Sequence, residues 1–119
     1  MPHSKQMSQE MRQCIANCLE CHALCIETAT HCLMMGSMHA SPSHQKLLAD
    51  CAQACLASAG FMARMSEYHI EYCRLCAELC SACATDCEQL ASGDKTMLHC
   101  AQVCRRCEDS CRQMSMAAA

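Results

Sequence analysis

The chain has few of the residues that favour β-strands. It contains no tryptophan, its aromatic residues are Phe61, Tyr68 and Tyr72, and Val103 is its single valine. Because strands favour β-branched and aromatic side chains, an all-β fold is disfavoured. Glycine and proline are also scarce, with three and two residues in the 119, and this scarcity favours long helices.

A strong net charge and long apolar runs are absent as well. The formal net charge is −3, whereas a nucleic-acid-binding protein is expected to carry a basic patch. No apolar run approaches the ~18 residues that indicate a transmembrane helix, and residues 1–13 are too polar for a signal peptide. We therefore expect a cytoplasmic protein with no nucleic-acid or membrane partner.

Cysteine, by contrast, dominates the composition, with sixteen residues in 119. In a secreted protein this density is typical of a disulfide scaffold, whereas in the reducing cytosol it indicates metal binding. Residues one helical turn apart have Cβ atoms about 5–6 Å apart, but a disulfide needs about 3.8 Å. Disulfides within a helix would therefore be strained, while disulfides between helices remain possible.

Break signals divide the chain into four helical segments. Gly36 is expected to end the first helix, and Ser43 is expected to cap the second after a Ser-Pro-Ser turn. Ser66 is expected to separate the second and third segments, and Asp94 is expected to cap the fourth. The predicted fold is all-α: an antiparallel up-down-up-down four-helix bundle in a single domain, residues 1–119. The predicted helices span residues 5–35, 44–65, 67–91 and 95–115.

Within each segment, successive cysteines are 3, 4 or 7 residues apart. This is the spacing that places side chains on one face of a helix, where a bundle would normally carry leucine. We therefore predict one cysteine-lined core and take all of the cysteines as metal ligands. They are Cys14, Cys18, Cys21, Cys25, Cys32, Cys51, Cys55, Cys73, Cys76, Cys80, Cys83, Cys87, Cys100, Cys104, Cys107 and Cys111.

A second apolar stripe flanks the cysteine rows of the first and third segments. Such a stripe either widens the buried face of the bundle or contacts another subunit, and the spacing does not separate these interpretations. Its residues are Ile15, Leu19, Ile26 and Leu33, then Tyr68, Tyr72, Leu75 and Leu79.

Methionine and histidine stand at the ends of several cysteine rows. In an antiparallel bundle, one end (here called the mouth) collects Met35, Met38, His39, His44, Met97 and His99. Thioether, imidazole and thiolate form a soft ligand set that suits Cu(I). The competing interpretation is that methionine at helical spacing simply fills the core.

Charge balance discriminates between the metals that such a core could hold. Metal-binding thiols are deprotonated, so a fully loaded core carries sixteen negative charges. Zn²⁺ in four-thiolate sites would leave half of that charge uncompensated, which is unfavourable in a buried site. One Cu(I) per thiolate leaves a neutral core, and a linear S–Cu–S unit spans about 4.5 Å if its bonds resemble those of zinc to thiolate.

The sequence resembles the cysteine-rich four-helix-bundle copper storage proteins of bacteria, of the cytosolic type. The resemblance covers nearly the whole chain from about residue 10 to residue 115. It is carried by four stretches: CIANCLECHALC (14–25), CAQAC (51–55), CRLCAELCSACATDC (73–87) and CAQVCRRCEDSC (100–111).

The resemblance implies Cu(I) bound along the core by thiolate pairs, with histidine and methionine donors at one open end. It also implies a bundle that is folded without metal and a homotetramer. His99 is the best candidate for a mouth histidine by this resemblance. The second segment departs from the pattern, because Ser58, Met62 and Met65 stand on its row.

The function we predict is storage of many Cu(I) ions per chain, for copper homeostasis and detoxification, with a copper chaperone as a further expected partner. The site residues are the sixteen cysteines with Met35, Met38, His39, Met97 and His99. No catalytic group stands out, so an enzyme is not expected. The alternatives are a zinc or cadmium buffer of the metallothionein type and a thiol redox protein or disulfide-stabilised scaffold.

Overall fold

The computed structural model describes residues 6–116, and over that range the chain is almost entirely helical. The helices are α1 (Gln9–Met35), a short 3₁₀ helix (Ser37–Ala40), α2 (Pro42–Ala63), α3 (His69–Leu90) and α4 (Lys95–Met116). No strand occurs in the described range. Each α-helix packs against two others, α1 and α3 both lying between α2 and α4. The predicted all-α four-helix bundle is confirmed.

The helix ends follow local capping chemistry. Gly36, with a φ of 74°, ends α1 and donates its N–H to Cys32 O, as predicted. The prediction that Ser43 caps α2 is wrong: Ser41 is the cap, and its Oγ accepts from His44 N at 3.4 Å. Pro42 then occupies the first helical position, where its missing N–H is not needed.

The α2–α3 connection is longer than predicted, because α2 already ends at Ala63 and α3 begins only at His69. Met65, in this connection, has a φ of 54°. The prediction that Asp94 caps α4 was correct: Asp94 Oδ1 accepts from Met97 N at 3.0 Å, as expected of an N-cap. Residue 5, where the first helix was predicted to begin, lies outside the described residues.

The core runs along the bundle axis and consists mainly of thiols. Every cysteine is at most 1% exposed, because the 3- and 4-residue spacing turns each row inward. Small residues pack beside the rows, and they are Ala52, Ala59, Ala77, Ala84 and Ala101. Cys32 lies apart from the main core, in a small cluster with Ala91 and Met97.

The second apolar stripe remains largely on the surface. Leu19, Ile26, Leu33, Tyr68, Tyr72 and Leu75 are 39–60% exposed, so for these residues the interpretation of a widened core is wrong. Contact with another subunit is the interpretation that remains for them, because an exposed apolar stripe often marks an interface. None of the described helices is apolar over a length that would cross a membrane.

Candidate metal centre in the bundle core

All sixteen cysteines lie within the described residues, and all are free and buried. The structure therefore contains no disulfide among these cysteines that would support the alternative of a disulfide-stabilised scaffold. As small, weakly polar side chains, protonated thiols pack well in a core. The bundle thus brings a large set of potential ligands together without metal.

The shortest contacts between thiols join different helices. Cys18 Sγ lies 3.6 Å from the Sγ atoms of Cys107 and Cys111, and Cys55 Sγ lies 3.6 Å from Cys76 Sγ. On the same helix, three pairs of cysteines four residues apart make contacts, and these measure 3.9–4.0 Å. The core is thus a network across helices rather than a set of pairs along each one.

The sulfur atoms form overlapping groups in which all members lie within 4.8 Å of one another. Four groups contain four thiols and one contains three. They are Cys18–Cys76–Cys107–Cys111, Cys21–Cys25–Cys51–Cys104, Cys21–Cys51–Cys55–Cys80, Cys55–Cys76–Cys80–Cys107 and Cys14–Cys73–Cys111. Because the groups share members, a soft metal ion always has a neighbouring site within reach.

The thiols also tune one another's affinity for protons. Hydrogen bonding with Cys104 lowers the pKa of Cys21, because a neighbouring S–H stabilises the thiolate. Conversely, hydrogen bonds with Cys100 and Cys21, together with burial, raise the pKa of Cys104. The pKa values of the two thiols of such a contact are therefore shifted in opposite directions.

At the mouth, Cys32 has an imidazole rather than another thiol as its neighbour. His44 Nε2 lies 3.4 Å from Cys32 Sγ, and His44 Nδ1 lies 2.6 Å from an Asp86 carboxylate oxygen. A carboxylate behind a histidine fixes the ring orientation, as in many metal sites. Burial, with a smaller contribution from the Asp94 charge, raises the pKa of Cys32 to about 11.

The structure distributes the other predicted mouth donors differently. Met97 is fully buried and clusters with Cys32, whereas Met35 and Met38 are exposed. His39 is half-buried, and its Nε2 lies 2.7 Å from Leu90 O. None of the last three is brought to the thiols.

His99, the expected mouth histidine, is exposed. It precedes the core residue Cys100 by one position, which turns it about 100° away from the core. His44 is instead the histidine that reaches a thiol. The sequence pointed to His44 because it lies one helical turn before Leu48, on the face that continues from Cys51 toward the start of α2.

The opposite end of the core is closed by methionine. Met62 is fully buried, Met114 is 6% exposed, and Met11 packs against the same cluster. Ser58, on the α2 row, is buried and donates its Oγ hydrogen to Tyr72 O at 3.1 Å. Serine therefore replaces a thiol here and is occupied by a backbone hydrogen bond.

Comparison with known proteins gives a consistent result. A family model described as "Copper storage protein" matches residues 7–116. A crystal structure of a protein from Nitrosospira multiformis is 39% identical, with a TM-score of 0.85, over 92% of this chain and 97% of that chain. The Cu(I)-bound copper storage protein BsCsp3 is 31% identical, with a TM-score of 0.82, over 90% of this chain and 99% of that one.

A third similar structure is a cytosolic copper storage protein from Streptomyces lividans, described with five coppers. It is 29% identical to this chain, with a TM-score of 0.83, over 90% of this chain and 92% of that one. The likeness to all three structures thus covers nine tenths or more of each chain.

Proposed function

The chain belongs to the copper storage protein family, and we propose that its sixteen buried cysteines are the ligands with which it binds and stores Cu(I). The observation that carries this assignment is the continuous network of free, buried thiols with S···S contacts of 3.6–4.0 Å. Storage of multiple Cu(I) ions is a binding function, and the protein is not an enzyme.

The network fits monovalent soft ions because each incoming Cu(I) replaces one thiol proton and leaves the buried charge unchanged. A trigonal ion with bonds of about 2.3 Å holds its sulfur ligands about 4.0 Å apart, close to the observed contacts. A linear ion needs a slightly larger separation, which a change of cysteine rotamer supplies. The core therefore accepts copper without unfolding.

At the mouth, we assign Cys32, His44 and Met97 to a mixed thiolate, imidazole and thioether site. The support is the 3.4 Å contact between Cys32 and His44 and the burial of Met97 in the same cluster. The more exposed donors form an outer set at the same end, which receives the ion before it passes inward. They are Met35, Met38, His39 and His99.

The wider setting follows from the surface. The exposed apolar residues of α1 and α3 support assembly into a homotetramer, because burying an apolar stripe of this length against another subunit stabilises the assembly. A cytoplasmic location is supported by the cytosolic relative. We also propose that a copper chaperone delivers the ions and that residues 1–119 form a single domain.

The test is an anaerobic titration of the reduced protein with Cu(I) against a competing chromophoric chelator. We expect a count at or above the sixteen cysteines per chain, with unchanged helical circular dichroism. The variant Cys55→Ala should bind fewer ions, whereas Leu56→Ala, at the exposed neighbouring position, should bind as many as the original chain. A count of only a few ions would reject storage.

A further inference from the structure

The four-thiol groups have a geometry that also suits a tetrahedral ion. The distal group (Cys18, Cys76, Cys107 and Cys111) lies nearer the closed end. The contacts among Cys18, Cys107 and Cys111 measure 3.6, 3.6 and 4.0 Å, and the fourth sulfur lies within 4.8 Å of each of them. In the proximal group, nearer the mouth (Cys21, Cys25, Cys51 and Cys104), the contacts among Cys21, Cys25 and Cys104 measure 3.7, 3.9 and 4.0 Å, and Cys51 Sγ is again within 4.8 Å. Four thiolates around Zn²⁺ lie about 3.8 Å apart when each bond is about 2.3 Å.

We propose that the same core binds two soft divalent ions, Zn(II) or Cd(II), each held by the four thiolates of one group. The proposal is independent of copper storage, because it rests only on the separation of the sulfur atoms in the folded chain. Each ion replaces four thiol protons, which leave to solvent, and no electron is transferred.

The number two follows from the way the groups overlap. Two central groups lie between the distal and proximal ones: Cys21–Cys51–Cys55–Cys80, the first, and Cys55–Cys76–Cys80–Cys107, the second. The first shares two residues with the proximal group, the second shares two with the distal group, and each shares two with the other. Any three of these four-thiol groups therefore compete for a thiol, and at most two four-thiolate sites are filled together.

Charge also disfavours filling further groups. A divalent ion with four thiolates carries a net charge of −2, and a buried charge is tolerated only when hydrogen bonds satisfy it. The thiols outside the two groups stay protonated and supply such bonds. Cys14 Sγ lies 3.7 Å from Cys111 Sγ and Cys55 Sγ lies 3.6 Å from Cys76 Sγ, so both can donate to the distal group once its sulfurs are thiolates.

The proximal group has similar neighbours. Cys80 Sγ lies 3.7 Å from Cys51 Sγ, and Cys100 Sγ lies 4.0 Å from Cys25 Sγ. Both ions are therefore surrounded by neutral S–H donors, which is the arrangement that strengthens a thiolate site through its outer shell.

The experiment is an anaerobic titration of the reduced, full-length protein with cadmium chloride, followed by desalting and metal analysis. Thiolate-to-cadmium charge-transfer absorption should rise linearly and stop at two ions per chain, with four protons released per ion and unchanged helicity. Co(II), used as a spectroscopic probe, should show the intense visible bands of a tetrahedral four-thiolate site.

Single substitutions make the overlap testable. Cys107→Ala removes the distal and second central groups, and the two that remain share Cys21 and Cys51, so the count should fall to one. Cys104→Ala, on the same helix and equally buried, removes only the proximal group. The distal and first central groups remain, so its count should stay at two.

A second pair of variants protects the test against a folding defect. Cys21→Ala should bind one ion and Cys25→Ala two, by the same counting. The proposal is overturned if the original chain retains no cadmium after desalting, if it binds three or more ions, if binding abolishes the helical signal, or if paired variants bind equally. Copper storage stands in each of these cases as long as the Cu(I) count is at or above the number of cysteines.

Discussion

Thr28 carries a hydroxyl group that is fully buried in the core, and its Oγ1 has no hydrogen-bond partner among the described residues. The residue occupies the α1 row between Cys25 and Cys32, at a position that faces the other helices. Burying a hydroxyl without a partner costs about 1–3 kcal/mol. Thr28→Val keeps the β-branched shape and removes that cost, so it should stabilise the metal-free protein.

We expect a gain of about 1–2 kcal/mol in the free energy of unfolding, because valine leaves the helix propensity almost unchanged. For a chain of this length the gain corresponds to a rise in Tm of about 4–8 °C. The measurement is thermal unfolding of the reduced protein, without metal and without oxygen, followed by circular dichroism.

The matched control is Thr30→Val on the same helix. Thr30 is exposed, and its hydroxyl donates to Ile26 O at 3.4 Å, so the substitution should change stability by less than about 0.5 kcal/mol. Equal or lower stability of Thr28→Val would refute the reasoning, because it would mean that the buried hydroxyl makes a favourable interaction. The Cu(I) count of Thr28→Val should equal that of the original chain.

Three further substitutions test other parts of the structure. Asp94→Ala should destabilise the protein by about 1 kcal/mol, because it removes the cap of α4. The hydrogen bond from Met97 N lowers the pKa of Asp94, so the carboxylate stabilises the fold above its unfolded-state pKa. This contribution is lost as the pH falls through the lowered folded-state pKa, and acid unfolding curves of the two proteins should converge there. His44→Ala should weaken Cu(I) binding at the mouth by about 10–100-fold in chelator competition. His99→Ala removes only an exposed outer donor and should cost less, so equal losses would contradict the assignment of His44 to the mouth site. Gly60→Ala should raise stability by about 1 kcal/mol in denaturant unfolding, since the new Cβ meets only the flexible end of an arginine at 3.3 Å; a loss would indicate that this side chain cannot move.

Much of the architecture was accessible from local sequence patterns. The steps of 3 and 4 residues placed every cysteine on an inward face, and the structure buries all of them. Gly36 and Asp94 marked helix ends correctly, because capping depends on a few neighbouring residues. The prediction that Ser43 is the cap was wrong, because the Ser-Pro-Ser turn offers two serines with the same side chain. Proline favours the first helical position, so the cap is Ser41, which precedes Pro42.

The arrangement of the ligands was not accessible in the same way. Which thiols meet depends on how far each helix is shifted along its axis and rotated about it, and a pattern within one helix carries no information on its neighbours. For that reason the short contacts of Cys18 with α4 were not anticipated, and His99 was preferred to His44. The exposure of the apolar stripe could not be predicted for a similar reason. Periodicity shows which residues share a helix face, but it does not show what covers that face.

The sequence by itself therefore determined that the protein is a helical bundle with a thiol-lined interior, because helix periodicity is a local property of about 3.6 residues per turn. Only the tertiary structure decided that the thiols form overlapping groups across helices and that Cys32 is paired with His44. The physical reason is that a coordination site is defined by distances between helices, and those distances are set by the packing of small residues along the whole bundle.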